Sequence, residues 1–129
     1  MRITTGIDIV SIERMEEVIQ RWGERFLNKL FTQEELCQAK RRGFPVQHFA
    51  GKFAGKEAIF KALSGFQNGV AIRWTDIEIL NSPEGRPKVY LHDRAEAIRE
   101  KALLSEVQVS ISHNRDWAVA SAVAFSEKL

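Results

Sequence analysis

The chain has one cysteine, Cys37, so no internal disulfide can form and no thiolate cluster is available to a metal. No apolar run approaches the roughly eighteen residues that a membrane span needs. The first residues, Met1-Arg2-Ile3-Thr4-Thr5-Gly6, lack a signal-peptide pattern, which makes the cytoplasm the expected compartment. No repeat, low-complexity tract or Pro/Gly/Ser-rich linker divides the sequence. Net charge is also small: 19 basic and 17 acidic side chains give +2. That balance argues against bulk nucleic-acid binding. What remains is 129 residues, 44% hydrophobic and 28% charged, which suits one domain over 1–129 with a substantial core.

The charge is unevenly spread. Between Leu36 and Lys61 stand six basic residues (Lys40, Arg41, Arg42, Lys52, Lys56 and Lys61) against Glu57 alone, leaving the rest of the chain net acidic. A basic patch in a near-neutral protein suits a phosphate-bearing ligand or an acidic partner, although a solvated helix face would read the same way.

That patch contains the stretch that organises the rest, Phe49 to Leu63. At about 100° per residue, Phe49, Phe53 and Phe60 fall within about 40° of one another on a helix, so their stripe should meet a core. Glu57 sits at the edge of that stripe with Lys61 four residues on. The pair could be a simple i,i+4 stabiliser. A carboxylate in that position could equally hold a metal. Gly51 and Gly55 are costly inside a helix and imply close approach by another backbone or a ligand.

Elsewhere, Arg2 to Val10 alternates as a strand, with Ile3, Thr5, Ile7 and Ile9 on one face and Gly6 and Asp8 on the other. Gly6 leaves room for something to approach its backbone. Ser11 is a good N-cap for a helix with Ile12, Met15, Val18, Ile19 and Trp22 as its apolar stripe. Thr32 and Glu35 form a capping-box pattern for a helix over 33–41 closed by Gly43, and Pro45 opens the long helix, which should end near Ser64. The segments 76–80 and 88–91 read as a hairpin around Ser82–Pro87. Asp93 is placed to cap a helix running to about Leu104. Two final strands follow, 107–113 and 117–125. The second presents Ala118, Ala120, Ala122 and Ala124 on one face, flat enough for the central helix to pack close. The expected fold is α+β, a small, largely antiparallel sheet with the central helix laid across it.

Three separated elements offer reactive groups: Asp8, the Glu57/Lys61 pair, and Ser112-His113 at a strand end. Two carboxylates with no His/Cys cluster favour a hard cation such as Mg²⁺, which retains water and substrate phosphates as further ligands. Adjacent strand residues point to opposite faces, so Ser112 and His113 cannot be a nucleophile and its base. Together the groups point to Mg²⁺-assisted phosphoryl chemistry on a nucleotide-like ligand.

The segments Gly6-Ile7-Asp8-Ile9-Val10, Phe53 to Leu63 with its Lys56-Glu57-Ala58 and Lys61-Ala62, and Ser110-Ile111-Ser112-His113 resemble the holo-[acyl-carrier-protein] synthases, the small single-domain phosphopantetheinyl transferases. The likeness extends to Phe31–Glu35 and to the Gly85-Arg86-Pro87 turn. It implies the 4′-phosphopantetheinyl transferase fold. It implies Mg²⁺-dependent transfer of the phosphopantetheine arm of coenzyme A to a serine of apo-acyl carrier protein, in fatty acid biosynthesis, with adenosine 3′,5′-bisphosphate as the other product. It also implies a homotrimer with sites at subunit interfaces. Asp8 and Glu57 match the metal-binding carboxylates, and Glu57, Lys61 and Asp8 are the implied catalytic set. Lys52, Lys56, Lys61, Gly85, Arg86, Pro87, Ser112 and His113 would contact coenzyme A. Val10 stands where larger members carry a second acid, Lys52 where arginine is expected and Gly55 where alanine is common. Because acyl carrier proteins are acidic, Arg14, Arg21 and Arg25 on the first helix are the expected docking row. Two other classes of reading compete: a silent module binding an acidic partner, and a structural trimer in which Glu57–Lys61 merely orders the core.

Overall fold

In the computed structural model, residues 1–126 are described. Strands β1 (Arg2–Ser11), β4 (Gln108–His113) and β5 (Trp117–Ser126) form an antiparallel sheet in the order β1-β5-β4. A second, two-stranded antiparallel sheet is the hairpin of β2 (Ile77–Asn81) and β3 (Pro87–Leu91). Helix α3 (Val46–Leu63) runs between the two sheets, beneath α1 (Ile12–Leu30) and α2 (Gln33–Arg41), and α4 (Asp93–Lys101) follows the hairpin.

The alanine strand face does what its shape predicts. Ala118, Ala120, Ala122 and Ala124 are all buried, and α3 lies on them. Only hydrogen-sized spacing lets β1 come equally near: a Cβ on Gly6 would sit 1.9 Å from the Ala58 carbonyl oxygen. On the other side of α3, a Cβ at Gly55 would meet Ile79 Cδ1 at 2.7 Å, and one at Gly51 would meet Ile111 Cγ2 at 3.0 Å. The close neighbours of these two glycines are therefore isoleucine side chains from β2 and β4, not a backbone. Phe49 packs at a tilt against Phe31, while Phe53 and Phe60 both contact Trp74, with ring centroids 5.3 and 5.1 Å away.

The isoleucine face of β1 points out: Ile3, Ile7 and Ile9 are each at least 60% exposed, and the Thr4/Gly6/Asp8 face meets α3. Two expectations are corrected. Helix α1 is broken at Gly23, whose φ of 56° and ψ of −138° are accessible to glycine alone, and Trp22 just before it is exposed instead of completing the apolar stripe. Asp93 does not cap α4. His92 is the cap residue, Asp93 adopts a positive φ of 48°, and its carboxylate meets Arg73.

Candidate active site: a carboxylate pair and a basic cavity on opposite flanks of one helix

Asp8 lies one pleat beyond Gly6 on the same strand face, so the close crossing at Ala58 brings it beside α3. Glu57 and Lys61 project from the flank it reaches. Lys61 Nζ donates to Asp8 Oδ1 at 3.1 Å and to the Ile7 carbonyl at 2.9 Å. The i,i+4 expectation gave Lys61 to Glu57. The strand carboxylate takes it because two β1 acceptors converge there, whereas Glu57 offers one partner at the cost of another ordered rotamer. Glu57 is half-buried, and its carboxyl is pushed up, first by that burial and then by the Asp8 charge, with Lys61 opposing. A carboxylate whose proton affinity is raised by a neighbouring carboxylate's charge makes, with that neighbour, a site for a cation.

The donor set fits Mg²⁺. Both ligands are hard oxygens, and among the described residues no cluster of three or more His, Cys, Asp or Glu could hold a metal unaided. Any Mg²⁺ held by Asp8 and Glu57 would keep room for water and phosphate oxygens.

A cavity of about 650 Å³ opens on the other side of α3. Arg42, His48, Lys52, Gly85, His113 and Arg115 face into it. His48 stands four residues before Lys52 on the same helical flank. Its imidazole is lowered to about 4, first by burial and then by the charges of Lys52 and Arg42, so it is neutral near pH 7. Lys52 is buried and lowered to about 8, again chiefly by burial, with the Glu35 carboxylate opposing and Arg42 and Lys56 adding repulsion. A pocket with this much unneutralised cation suits several phosphate groups.

Not every expected residue arrives. Lys56 is fully buried, and its ammonium donates to Glu35 Oε1 at 2.8 Å, the Trp74 carbonyl at 3.0 Å and the Ile77 carbonyl at 2.5 Å. An ammonium has three N–H groups, so none is left for a ligand. Lys56 is therefore withdrawn as a phosphate contact. Ser112 points to the opposite strand face from His113 and is absent from the cavity wall, and Arg86 faces a neighbouring groove beside Gln108 and Ser110. Arg14 and Arg21 are exposed on α1, with the Arg21 guanidinium over the Trp22 ring, but the break at Gly23 takes Arg25 off their row. The sequence reading missed His48, Asn81 and Arg115 as cavity residues. The i,i+4 spacing of His48 and Lys52 was the one available signal for the first.

The two groups of residues do not meet within the chain. At about 100° per residue, Lys52 and Glu57 stand about 140° apart around α3. Asp8, Ala120 and Ile111 share one row across the sheet, which puts the two edge strands about 10 Å apart with the helix between the sites.

Residues 4–122 match the family model of the 4′-phosphopantetheinyl transferase superfamily. The chain belongs to that family. It is 42% identical over 116 residues to a holo-[acyl-carrier-protein] synthase of Syntrophus aciditrophicus, covering 90% of each chain. Among solved structures it resembles the Chronobacterium ammoniagenes ACPS–CoA complex, with a TM-score of 0.85, 28% identity and coverage of 99% and 100% of the two chains. It also resembles the Helicobacter pylori holo-[acyl-carrier-protein] synthase in complex with coenzyme A, with a TM-score of 0.77, 33% identity and coverage of 93% and 98%. These are phosphopantetheinyl transferases, and the α+β architecture described above is that of the superfamily.

Proposed function

We propose that this enzyme transfers the 4′-phosphopantetheine arm of coenzyme A to a serine of an apo-acyl carrier protein. The whole chain, 1–129, would be one transferase domain acting in the cytoplasm. The observation that carries the reading is the convergence of Asp8, Glu57 and Lys61 in a chain of this family, with a basic cavity for the nucleotide on the other flank of the same helix.

The serine oxygen bonds to the β-phosphorus of the coenzyme A pyrophosphate, and the bond from that phosphorus to the bridging oxygen breaks. Adenosine 3′,5′-bisphosphate leaves with that oxygen. The serine proton passes to Glu57, directly or through one water. Mg²⁺ bound by Asp8 and Glu57 would neutralise charge on the pyrophosphate. Lys61, tied to Asp8 and to the Ile7 carbonyl, fixes the carboxylate's direction and adds a positive charge at the phosphates. Lys52, His113, Gly85 and Pro87 hold the nucleotide end, and Arg14 and Arg21 receive the acidic carrier.

Because the carboxylate pair and the cavity lie on opposite flanks of α3, a complete site needs a second copy of the chain. The outer sheet face supports that assembly. Ile3, Ile7, Ile9, Trp117, Val123 and Phe125 are each at least 41% exposed, an apolar patch of the kind that marks an interface. A homotrimer, with each site shared between two copies, meets both observations.

The test is intact-mass analysis of apo-acyl carrier protein incubated with this protein, coenzyme A and Mg²⁺. A phosphopantetheine adduct is expected. Its absence with folded protein and a cognate carrier would end the reading, and full activity of an Asp8→Ala enzyme would misassign the metal site.

A further inference from the structure

Lys52 and Lys56 are one helical turn apart, both buried, and differ in how many of their N–H groups are used. Lys56 spends all three on protein acceptors. Lys52 Nζ donates to the Ile79 carbonyl at 3.0 Å and to Asn81 Oδ1 at 2.6 Å. Lys52 and Asn81 both line the 650 Å³ cavity, so the third N–H of Lys52 is left for a ligand there.

Asn81 is itself held from outside the hairpin. Its backbone N–H donates to Gln38 Oε1 at 2.9 Å, and its backbone carbonyl accepts from Gln38 Nε2 at 3.0 Å. The next residue, Ser82, donates its N–H to the Arg86 carbonyl across the turn. Peptide groups alternate along a strand, so those of Asn81 face away from β3 towards α2. The Gln38 carboxamide there occupies both groups as a neighbouring strand would.

We propose that Gln38 and Asn81 are positioning residues for Lys52: Gln38 pins the end of β2 so that the Asn81 carboxamide holds the Lys52 ammonium with one N–H turned into the cavity, where it binds an anionic oxygen of coenzyme A. This rests on the reading that the cavity takes the phosphates of that substrate. The acceptor's neutrality matters. A carboxamide oxygen orients an ammonium without cancelling its charge, whereas a carboxylate at the same place would neutralise it and repel phosphate. The depressed proton affinity of Lys52 agrees with this, since burial outweighs the one opposing carboxylate, Glu35, and Arg42 and Lys56 add to it. An incoming phosphate would meet a cation that the protein has left under-compensated.

The test is calorimetric binding of adenosine 3′,5′-bisphosphate from pH 6.5 to 9.5, with KM and kcat for coenzyme A measured alongside. Wild-type affinity should be level below about pH 8, where Lys52 is charged in both states. It should fall above that, because the free enzyme must then take up a proton to bind. Lys52→Met should bind at least about tenfold more weakly and lose that fall. Asn81→Asp, which keeps the shape of the side chain, should bind about tenfold more weakly at pH 7 and move the fall about one unit higher. Gln38→Leu should raise KM about three- to tenfold with kcat within about twofold. Wild-type binding by Lys52→Met would remove Lys52 from the substrate reading itself. Weakened Lys52→Met beside Asn81→Asp and Gln38→Leu enzymes with wild-type affinity and pH profile would overturn the positioning role and leave that reading standing. If Asn81→Asp fails to fold, Gln38→Leu decides, and wild-type KM in that variant would overturn the proposal.

Discussion

Lys56 Nζ lies 2.8 Å from Glu35 Oε1, with 0% and 3% of the two side chains exposed. The rest of the network is as complete. Glu35 Oε1 also accepts from the Thr32 backbone N–H, closing the capping box of α2, and Oε2 accepts from the Ile79 N–H. A buried ion pair adds little over an apolar replacement of both partners, but removal of one partner strands the other charge. Burial lowers the Lys56 ammonium while Glu35 holds it up.

Lys56→Met should therefore act on stability and not on substrate. The stranded Glu35 carboxylate should cost on the order of 3–5 kcal/mol, a fall in Tm of about 10 °C or more. Thermal unfolding by circular dichroism measures the first effect. KM for coenzyme A, taken where the variant is folded, should stay within about threefold. A steep rise in KM at unchanged Tm would return Lys56 to the substrate contacts.

Acid should weaken the fold through His48. Its folded pKa of about 4 lies below the ordinary value of 6.5, so the unfolded chain binds the proton more readily. The stability that follows from keeping this imidazole neutral is fully present above pH 6.5 and is lost as pH falls towards 4. His48→Gln should be less acid-sensitive than wild type across that window. Parallel denaturation midpoints for the two proteins between pH 4 and 7 would contradict the assignment.

Two inactive variants should rescue each other. An Asp8→Ala chain lacks the carboxylate half of the site, and a Lys52→Met/His113→Ala chain lacks the phosphate half. If each site is shared between neighbouring copies of a trimer, random mixing at equal amounts should restore about one quarter of wild-type sites. Mixed refolding followed by a turnover assay is the measurement. No activity above the separate variants, in a mixture shown to exchange subunits, would place both halves in one copy.

Reversing charge on α1 should separate its arginines. Arg14→Glu/Arg21→Glu should raise KM for the carrier steeply and leave KM for coenzyme A nearly unchanged. The wild-type KM for the carrier should climb with salt, because exposed charges are screened beyond about 10 Å at 0.1 M. Arg25→Glu, beyond the break at Gly23, should have the smaller effect. Equal losses for both substrates would remove α1 as the docking surface.

Much of this was legible in the sequence because it was local. The capping box of Thr32 and Glu35, the N-cap at Ser11 and the bounds of α3 follow from neighbours a few residues apart. Gly6 and the alanine face of β5 announced a close packing, and α3 supplied it. What escaped was tertiary. Alternation along β1 sorts its residues into two faces but does not say which face α3 covers. Lys61 had a local partner in Glu57 and took a distant one in Asp8. Glu35 read as a cap and nothing more, since its second oxygen serves Ile79, 44 residues away. The break at Gly23, with its positive φ, has no signal in the apolar stripe, which runs on to Trp22.

Among the described residues the outward edge of β2 has no neighbouring strand, yet it is closed along its length: Lys56 takes the Ile77 carbonyl, Glu35 the Ile79 N–H, Lys52 the Ile79 carbonyl and Gln38 both groups of Asn81. Side chains from two helices thus replace the missing strand, and they do so only while those helices are docked. An excursion that lifts α2 away uncovers the Ile79 N–H and both peptide groups of Asn81 beside apolar Ile77 and Ile79, the start of a template on which another chain can add a strand. These four side chains, of which Lys52 alone also lines the basic cavity, are therefore this protein's guard against fibrous self-association, and loosening them would be felt during heating and storage before it was felt in turnover.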